Sequence, residues 1–300
     1  MMTSAPAANS SSTEPAATAG AAPVVYGQSD RPPRGDYSRA QSDYTCAQDY
    51  EAYTEADHDT YHRLYERQSS LLPGLASREF IAALPSLGAK ERIPRFEEIN
   101  ERLRKATGWE IVGVPGLIPE VPFFSLLAQR KFPVTDWIRK PEEFEYIVEP
   151  DIFHDLFGHV PLLFNPVIAD FIQAYGQGGL KAAELGSCEM LSRVYWYTIE
   201  FGLIREDGGV RAYGAGILSS AGELEYSVRS PEPRRLPLEL ARAMRTLYKI
   251  DTYQQTYFVL DDMQQLLNFA SQDFAPLYQQ TAQLGTVAAN ALLPGETSIS

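Results

Sequence analysis

The segment Pro150-Asp151-Ile152-Phe153-His154-Asp155-Leu156-Phe157-Gly158-His159-Val160-Pro161 holds two of the four histidines of this 300-residue chain. Neutral imidazole offers a lone pair at physiological pH and is the commonest side-chain ligand for a first-row metal. Pro150 suits a first helical turn, and Asp151 and Asp155 favour a helix N-terminal region. The segment therefore predicts a helix carrying half of a metal site. On an α-helix, five residues place His154 and His159 about 140° apart around the axis. The zinc-protease pattern His-Glu-x-x-His is absent, because Asp155 follows the first histidine and the second comes one place late.

Two histidines need a further ligand. Glu200 is a lone acid within Tyr195-Trp196-Tyr197-Thr198-Ile199-Glu200-Phe201-Gly202-Leu203. A buried carboxylate without a partner is costly, and with the two histidines it would form a facial triad with open positions. The residues alone leave alternatives open: Glu200 paired with Arg193, or His154 and His159 as core or capping side chains. His58 and His62 have the i,i+4 spacing of a metal clip, but Asp57, Asp59 and Arg63 around them suggest a solvated helix face.

Helical signals dominate outward from this segment. Phe96, Ile99 and Leu103 recur at helical spacing between Pro94 and Gly108. Val167, Ile168, Phe171 and Ile172 predict a helix from Pro166 to Tyr175 that the glycines at 176, 178 and 179 stop. Residues 191–203 predict a buried helix. Strand signals are confined to Val210–Tyr213, Tyr226–Val228 and Thr256–Leu260. The expected architecture is a mainly α single domain over 41–285 with short β-ribbons. Residues 1–40, rich in Ala, Ser, Thr, Pro and Gly, bury too little to offset their ordering entropy and read as a disordered tail. Residues 286–300 read as a second, short tail.

With 44% hydrophobic residues the chain can fill one sizeable core. A formal charge of −13 opposes nucleic acid and anionic membranes and favours small-molecule substrates. The two cysteines, Cys46 and Cys188, form no close-spaced pair, which suits a reducing cytoplasm. There is no apolar run of transmembrane length and no secretory signal, so a soluble, unprocessed protein is expected.

Three motifs in order, 150–161, 195–203 and Ala212-Tyr213-Gly214-Ala215-Gly216-Ile217-Leu218-Ser219-Ser220-Ala221-Gly222-Glu223, resemble the pterin-dependent aromatic amino acid hydroxylases, and the short bacterial phenylalanine-specific members in particular. The resemblance covers 41–285. It implies Fe(II) held by His154, His159 and Glu200, with O2 and a tetrahydropterin such as tetrahydrobiopterin as co-substrates. Val114 to Phe123 resembles the family's pterin loop, so Gly116, Leu117 and Ile118 are expected to face the pterin and Phe123 to stack on it. Arg139 matches the arginine that takes the substrate carboxylate. Asp151 is expected to orient Arg139, Pro150, His154 and Trp196 to surround the substrate ring, and Ser219 to support His154.

Some positions depart from the family pattern. Asp155 stands where animal members have Glu, which shortens a water-mediated pterin contact. Ile147 and Val148 replace a hydroxyl residue that helps bind substrate, and Tyr253 to Phe258 lacks the Phe-Gln-Pro-Leu pattern. Tryptophan hydroxylation, a zinc hydrolase with the same ligands, and a binding protein that kept the fold are the competing readings. With no regulatory domain and no C-terminal heptad repeat in view, the resemblance implies a monomer without activation by phenylalanine.

Overall fold

The computed structural model describes residues 34–145, 147 and 149–299. The expected tail over 1–33 and the departure at Val148 lie outside the described residues. The helices are α1 (Glu55–Leu71), α2 (Arg78–Ala83), α3 (Phe96–Ala106), α4 (Glu120–Ala128), α5 (Val160–Leu163), α6 (Pro166–Glu184) and α7 (Cys188–Tyr195). They continue as α8 (Ala215–Leu218), α9 (Ala221–Arg229), α10 (Leu240–Arg245), α11 (Gln264–Ala270) and α12 (Phe274–Leu284). Two π-helical segments, His154–His159 and Trp196–Glu200, interrupt this pattern. The mainly α single domain is as the sequence led us to expect, and no single helix among the described residues is long and apolar enough to cross a membrane.

The strands are β1 (Glu110–Val114), β2 (Lys131–Thr135), β3 (Gly202–Glu206), β4 (Gly209–Ala212), β5 (Arg234–Pro237) and β6 (Thr256–Leu260). β1 and β2 pair in parallel with α4 as the crossover, so β2 ends beside the His154–His159 segment. The second sheet has the order β4-β3-β6-β5, with β3 and β4 antiparallel and the other pairs parallel. β4 and β6 fall where strand signals were read. Tyr226–Val228 instead lies inside α9, where Ser220 caps the helix by accepting from the Glu223 N–H and where Leu224 and Ser227, three apart, are buried.

The glycines after Tyr175 do not stop α6, which runs on to Glu184. They let two helices touch: a Cβ on Gly176 would stand 2.7 Å from Leu127 Cβ, and one on Gly179 would stand 2.2 Å from the Phe124 ring. The helix expected over 191–203 ends at Glu200, and the chain turns into β3 at Gly202, where there is no space for a side chain beside Tyr213 and the Thr198 carbonyl.

Both expected tail boundaries need correction. Arg34 bonds Glu143 and Glu149, the Tyr37 hydroxyl donates to the Leu117 carbonyl, and Arg39 pairs with Asp136, so packed structure begins before residue 41. At the other end Val287 is buried and bridges to Thr246, Glu296 pairs with buried Arg242, and Ile299 N–H donates to the Arg235 carbonyl. His58 is not solvated either: it is buried against the rings of Tyr50 and Tyr53, while His62 faces Glu66 and Glu91 nearer the surface.

Candidate metal centre and its surroundings

The π turn explains how a five-residue spacing works. Hydrogen bonds from i to i+5 widen the turn and bring residues five apart over one another. His154 Nε2 and His159 Nε2 lie 3.2 Å apart. Gly158 makes the wide turn possible against α8, since a Cβ there would be 2.9 Å from the Ala215 carbonyl oxygen. The second π turn brings Glu200 to the same point, with Oε1 3.0 Å from His159 Nε2 and Oε2 3.7 Å from His154 Nε2. Arg193, the rival partner for Glu200, is engaged elsewhere, by Glu189 and the Met244 carbonyl.

Ser219 fixes the tautomer of His154. Its hydroxyl donates to the Ala215 carbonyl at 2.8 Å, so it accepts from His154 Nδ1–H, also at 2.8 Å. Nε2 is then left as the lone-pair nitrogen facing His159 and Glu200. Burial lowers the His154 pKa to about 4, which keeps the ring neutral. Burial also pushes Glu200 up, but the two imidazoles and the hydrogen bond from His159 outweigh it and hold the carboxyl below its ordinary range. Two imidazole nitrogens and a carboxylate converging this closely are a donor set for a divalent cation.

Asp155 also lies within reach: a ligand atom from each of His154, Asp155 and His159 falls within 4.8 Å of the others. However, its Oδ2 accepts from Thr135 N–H at 2.7 Å, at the end of β2, and burial raises its pKa to about 7. Glu200 is therefore the better anionic ligand, with Asp155 beside it.

Asp151 and Arg139 form a fully buried bidentate pair, Nε–Oδ2 2.8 Å and Nη2–Oδ1 2.9 Å. Asp151 also accepts from the backbone N–H groups of Arg139 and His154, each at 3.0 Å. One carboxylate thus ties the arginine to the first histidine. The fork that the sequence suggested for a ligand carboxylate is held by Asp151, leaving the Nη1 edge. Half-buried Pro150 leads into this segment.

Phe123, on α4, packs edge-on to Tyr195 at 5.5 Å, and Tyr195 stacks towards His159. Ahead of it, Gly116, Leu117 and Ile118 form a loop tied to the arginine segment, since Trp137 Nε1–H donates to the Pro115 carbonyl at 3.1 Å. Tyr37 and Glu149 crowd Gly116 so closely that a Cβ would be 3.0 Å and 2.9 Å from their oxygens. Trp196 opens the second π turn; it and Glu200 are the two residues of that turn that are only partly buried, and four apart they share its open face.

The sequence profile of biopterin-dependent aromatic amino acid hydroxylases matches residues 27–283. This chain belongs to that family. It is 51% identical over 266 residues to "Phenylalanine-4-hydroxylase" of Ralstonia nicotianae, covering 88% of this chain and 85% of the relative. With the protein of the same name from Chromobacterium violaceum it shares 51% over 260 residues, 86% of this chain and 88% of the other. The crystal structure of Chromobacterium violaceum phenylalanine hydroxylase bound to cobalt superposes with a TM-score of 0.85 at 50% identity, covering 87% of this chain and 95% of that one. In this hydroxylase Tyr37, which sequence reasoning missed, reaches the loop of Gly116, Leu117 and Ile118 from 80 residues away through its bond to the Leu117 carbonyl.

Proposed function

We propose that the protein is a phenylalanine 4-monooxygenase, converting L-phenylalanine to L-tyrosine with O2 and a tetrahydropterin, tetrahydrobiopterin or a close analogue. The observation that carries the reading is the convergence of His154, His159 and Glu200 on one point beside the Arg139–Asp151 pair. A related enzyme of half-identical sequence binds cobalt, which supports a divalent metal in this donor set. We assign the ion as Fe(II), with His154, His159 and Glu200 as its ligands. Bound there, iron supplies the redox chemistry that lets O2 act on an aromatic ring.

The chain's own residues prepare that chemistry. Ser219 holds His154 with its lone pair inward, and Asp151 fixes both the His154 backbone and the Arg139 guanidinium. Arg139 is the clamp for the amino acid carboxylate through its Nη1 edge. Pro150, His154 and Trp196 form the walls around the substrate ring. Phe123 offers a face for the flat pterin, with the backbone of Gly116, Leu117 and Ile118 along the pterin edge. Asp155, beside the ligands, reaches towards the pterin through water.

Tyrosine formation that depends on Fe(II), O2 and tetrahydropterin together is the expected result. Turnover with zinc and without O2 would sink the proposal, and faster product formation from tryptophan than from phenylalanine would change the substrate. We assign it further to the cytoplasm as a monomer acting on small molecules, without nucleic-acid or membrane partners. The unpaired Cys46 and Cys188 and the scatter of exposed large apolar side chains over separate elements support this.

A further inference from the structure

Gln254 precedes β6 and is 4% exposed. Its Nε2 donates to the carbonyls of Lys249 at 2.8 Å and Thr252 at 3.4 Å. Two carbonyl acceptors decide which end of the amide is nitrogen, so Oε1 can only accept. It accepts from the indole Nε1–H of Trp196 at 3.0 Å. The Gln254 backbone N–H donates in turn to Glu223 Oε1 at 2.9 Å, and the Tyr257 hydroxyl makes a short contact with the same oxygen. Both ends of the Gln254 amide and its backbone N–H are thus engaged.

Among the described residues the Trp196 indole N–H has no other hydrogen-bond partner; the ring is otherwise supported by stacking on Tyr248, at 4.1 Å and 13°, and by contact with Phe201 at 4.6 Å. Stacked rings slide and turn in their own plane at little cost, whereas a hydrogen bond at the ring edge stops that motion. Glu223 lies four residues after Ser219, across the turn from α8 to α9, so one short stretch orients two groups. Through Ser219 it sets the His154 ring, and through Glu223 and Gln254 it sets the Trp196 ring.

We propose that Gln254 is a positioning residue for the aromatic substrate, holding the Trp196 indole at the one orientation in which it walls the ring pocket. The inference rests on the reading of Trp196 as part of that pocket. Gln254 touches no substrate; its effect passes through the indole N–H.

The test is a double-mutant cycle on the iron-loaded enzyme with Gln254→Met and Trp196→Phe. Gln254→Met is expected to raise KM for phenylalanine roughly five- to tenfold, the ordinary worth of one buried hydrogen bond. KM for tetrahydropterin and bound iron should stay as in the unmutated enzyme. In the Trp196→Phe background the same substitution should add nothing. A full additional rise there would overturn the proposal, because Gln254 would then act through the fold and not through the indole.

A second readout needs neither substrate nor variant. In the unmutated protein, labelled on tryptophan nitrogen, the Trp196 Nε1–H should exchange with solvent slowly, and exchange at the rate of a free indole would overturn the proposal. Slow exchange together with an unchanged phenylalanine KM in Gln254→Met would show the bond to be real and Trp196 to be no wall of the pocket. That outcome also overturns the proposal, through the reading on which it rests, and it is distinct from loss of the bond itself.

Discussion

Ser219 accepts from His154 Nδ1–H while donating to Ala215, so Ser219→Ala releases the ring and its tautomer together. Metal affinity should fall about 10- to 100-fold, as is usual when such a supporting contact is lost; competition with a chelating dye measures it. Glu200→Ala should abolish metal retention on dialysis with the fold intact, and wild-type retention would remove Glu200 from the ligand set. Glu223 supplies a pH test. Burial raises its pKa from 4.5 to about 7, against the hydrogen bonds from Gln254 and Tyr257. Between those two values the native state binds more protons than the unfolded chain, so this group makes stability fall as pH rises. Glu223→Gln should flatten that slope by an amount of order 3 kcal/mol between pH 4.5 and 7, read from urea midpoints. At this scale the site was largely legible, because His154, His159, Asp151 and Asp155 are close in sequence and a lone acid in an aromatic run singles out Glu200. Tyr37 and Gln254 were not, since neither type is unusual on its own and their partners lie 80 and 58 residues away.

Elements are where periodicity misled. A five-residue spacing looked awkward on an α-helix and becomes a direct match on a π turn, which no propensity announces. Gly158 is the local clue, and Gly158→Ala tests it: the new methyl meets α8, so the turn must tighten or move. A loss of roughly 1–3 kcal/mol in stability is expected, together with weaker metal binding. Gly176 and Gly179 carry the same lesson. Glycine reads as a helix stop, but a buried helix crossing tolerates its entropic cost where only a hydrogen fits. β1, β2, β3 and β5 escaped notice because Gly, Pro or charged residues interrupt each of them, whereas β6 is an unbroken run of Thr, Tyr, Phe, Val and Leu.

The whole molecule closes on itself more tightly than composition implied. Residues 286–299 read as a tail because they lack helical periodicity, yet they clamp α10 and β5 through Glu296, Val287 and Ile299. A chain ending at Leu284 should melt several degrees lower, since Arg242 would be left buried without its carboxylate. Circular dichroism melts check this, and light scattering on the intact chain should return the mass of one copy. The segment Arg34–Arg39 has a different consequence. It reaches Glu143 and Glu149 across 109 and 115 residues and the Leu117 carbonyl across 80. Loops of that length close late, after the local helices and the histidine segment have formed. During synthesis, the wall beside Gly116 must therefore wait for the chain to emerge past Glu149, so the face proposed for the pterin cannot be completed until about half of the protein has been made.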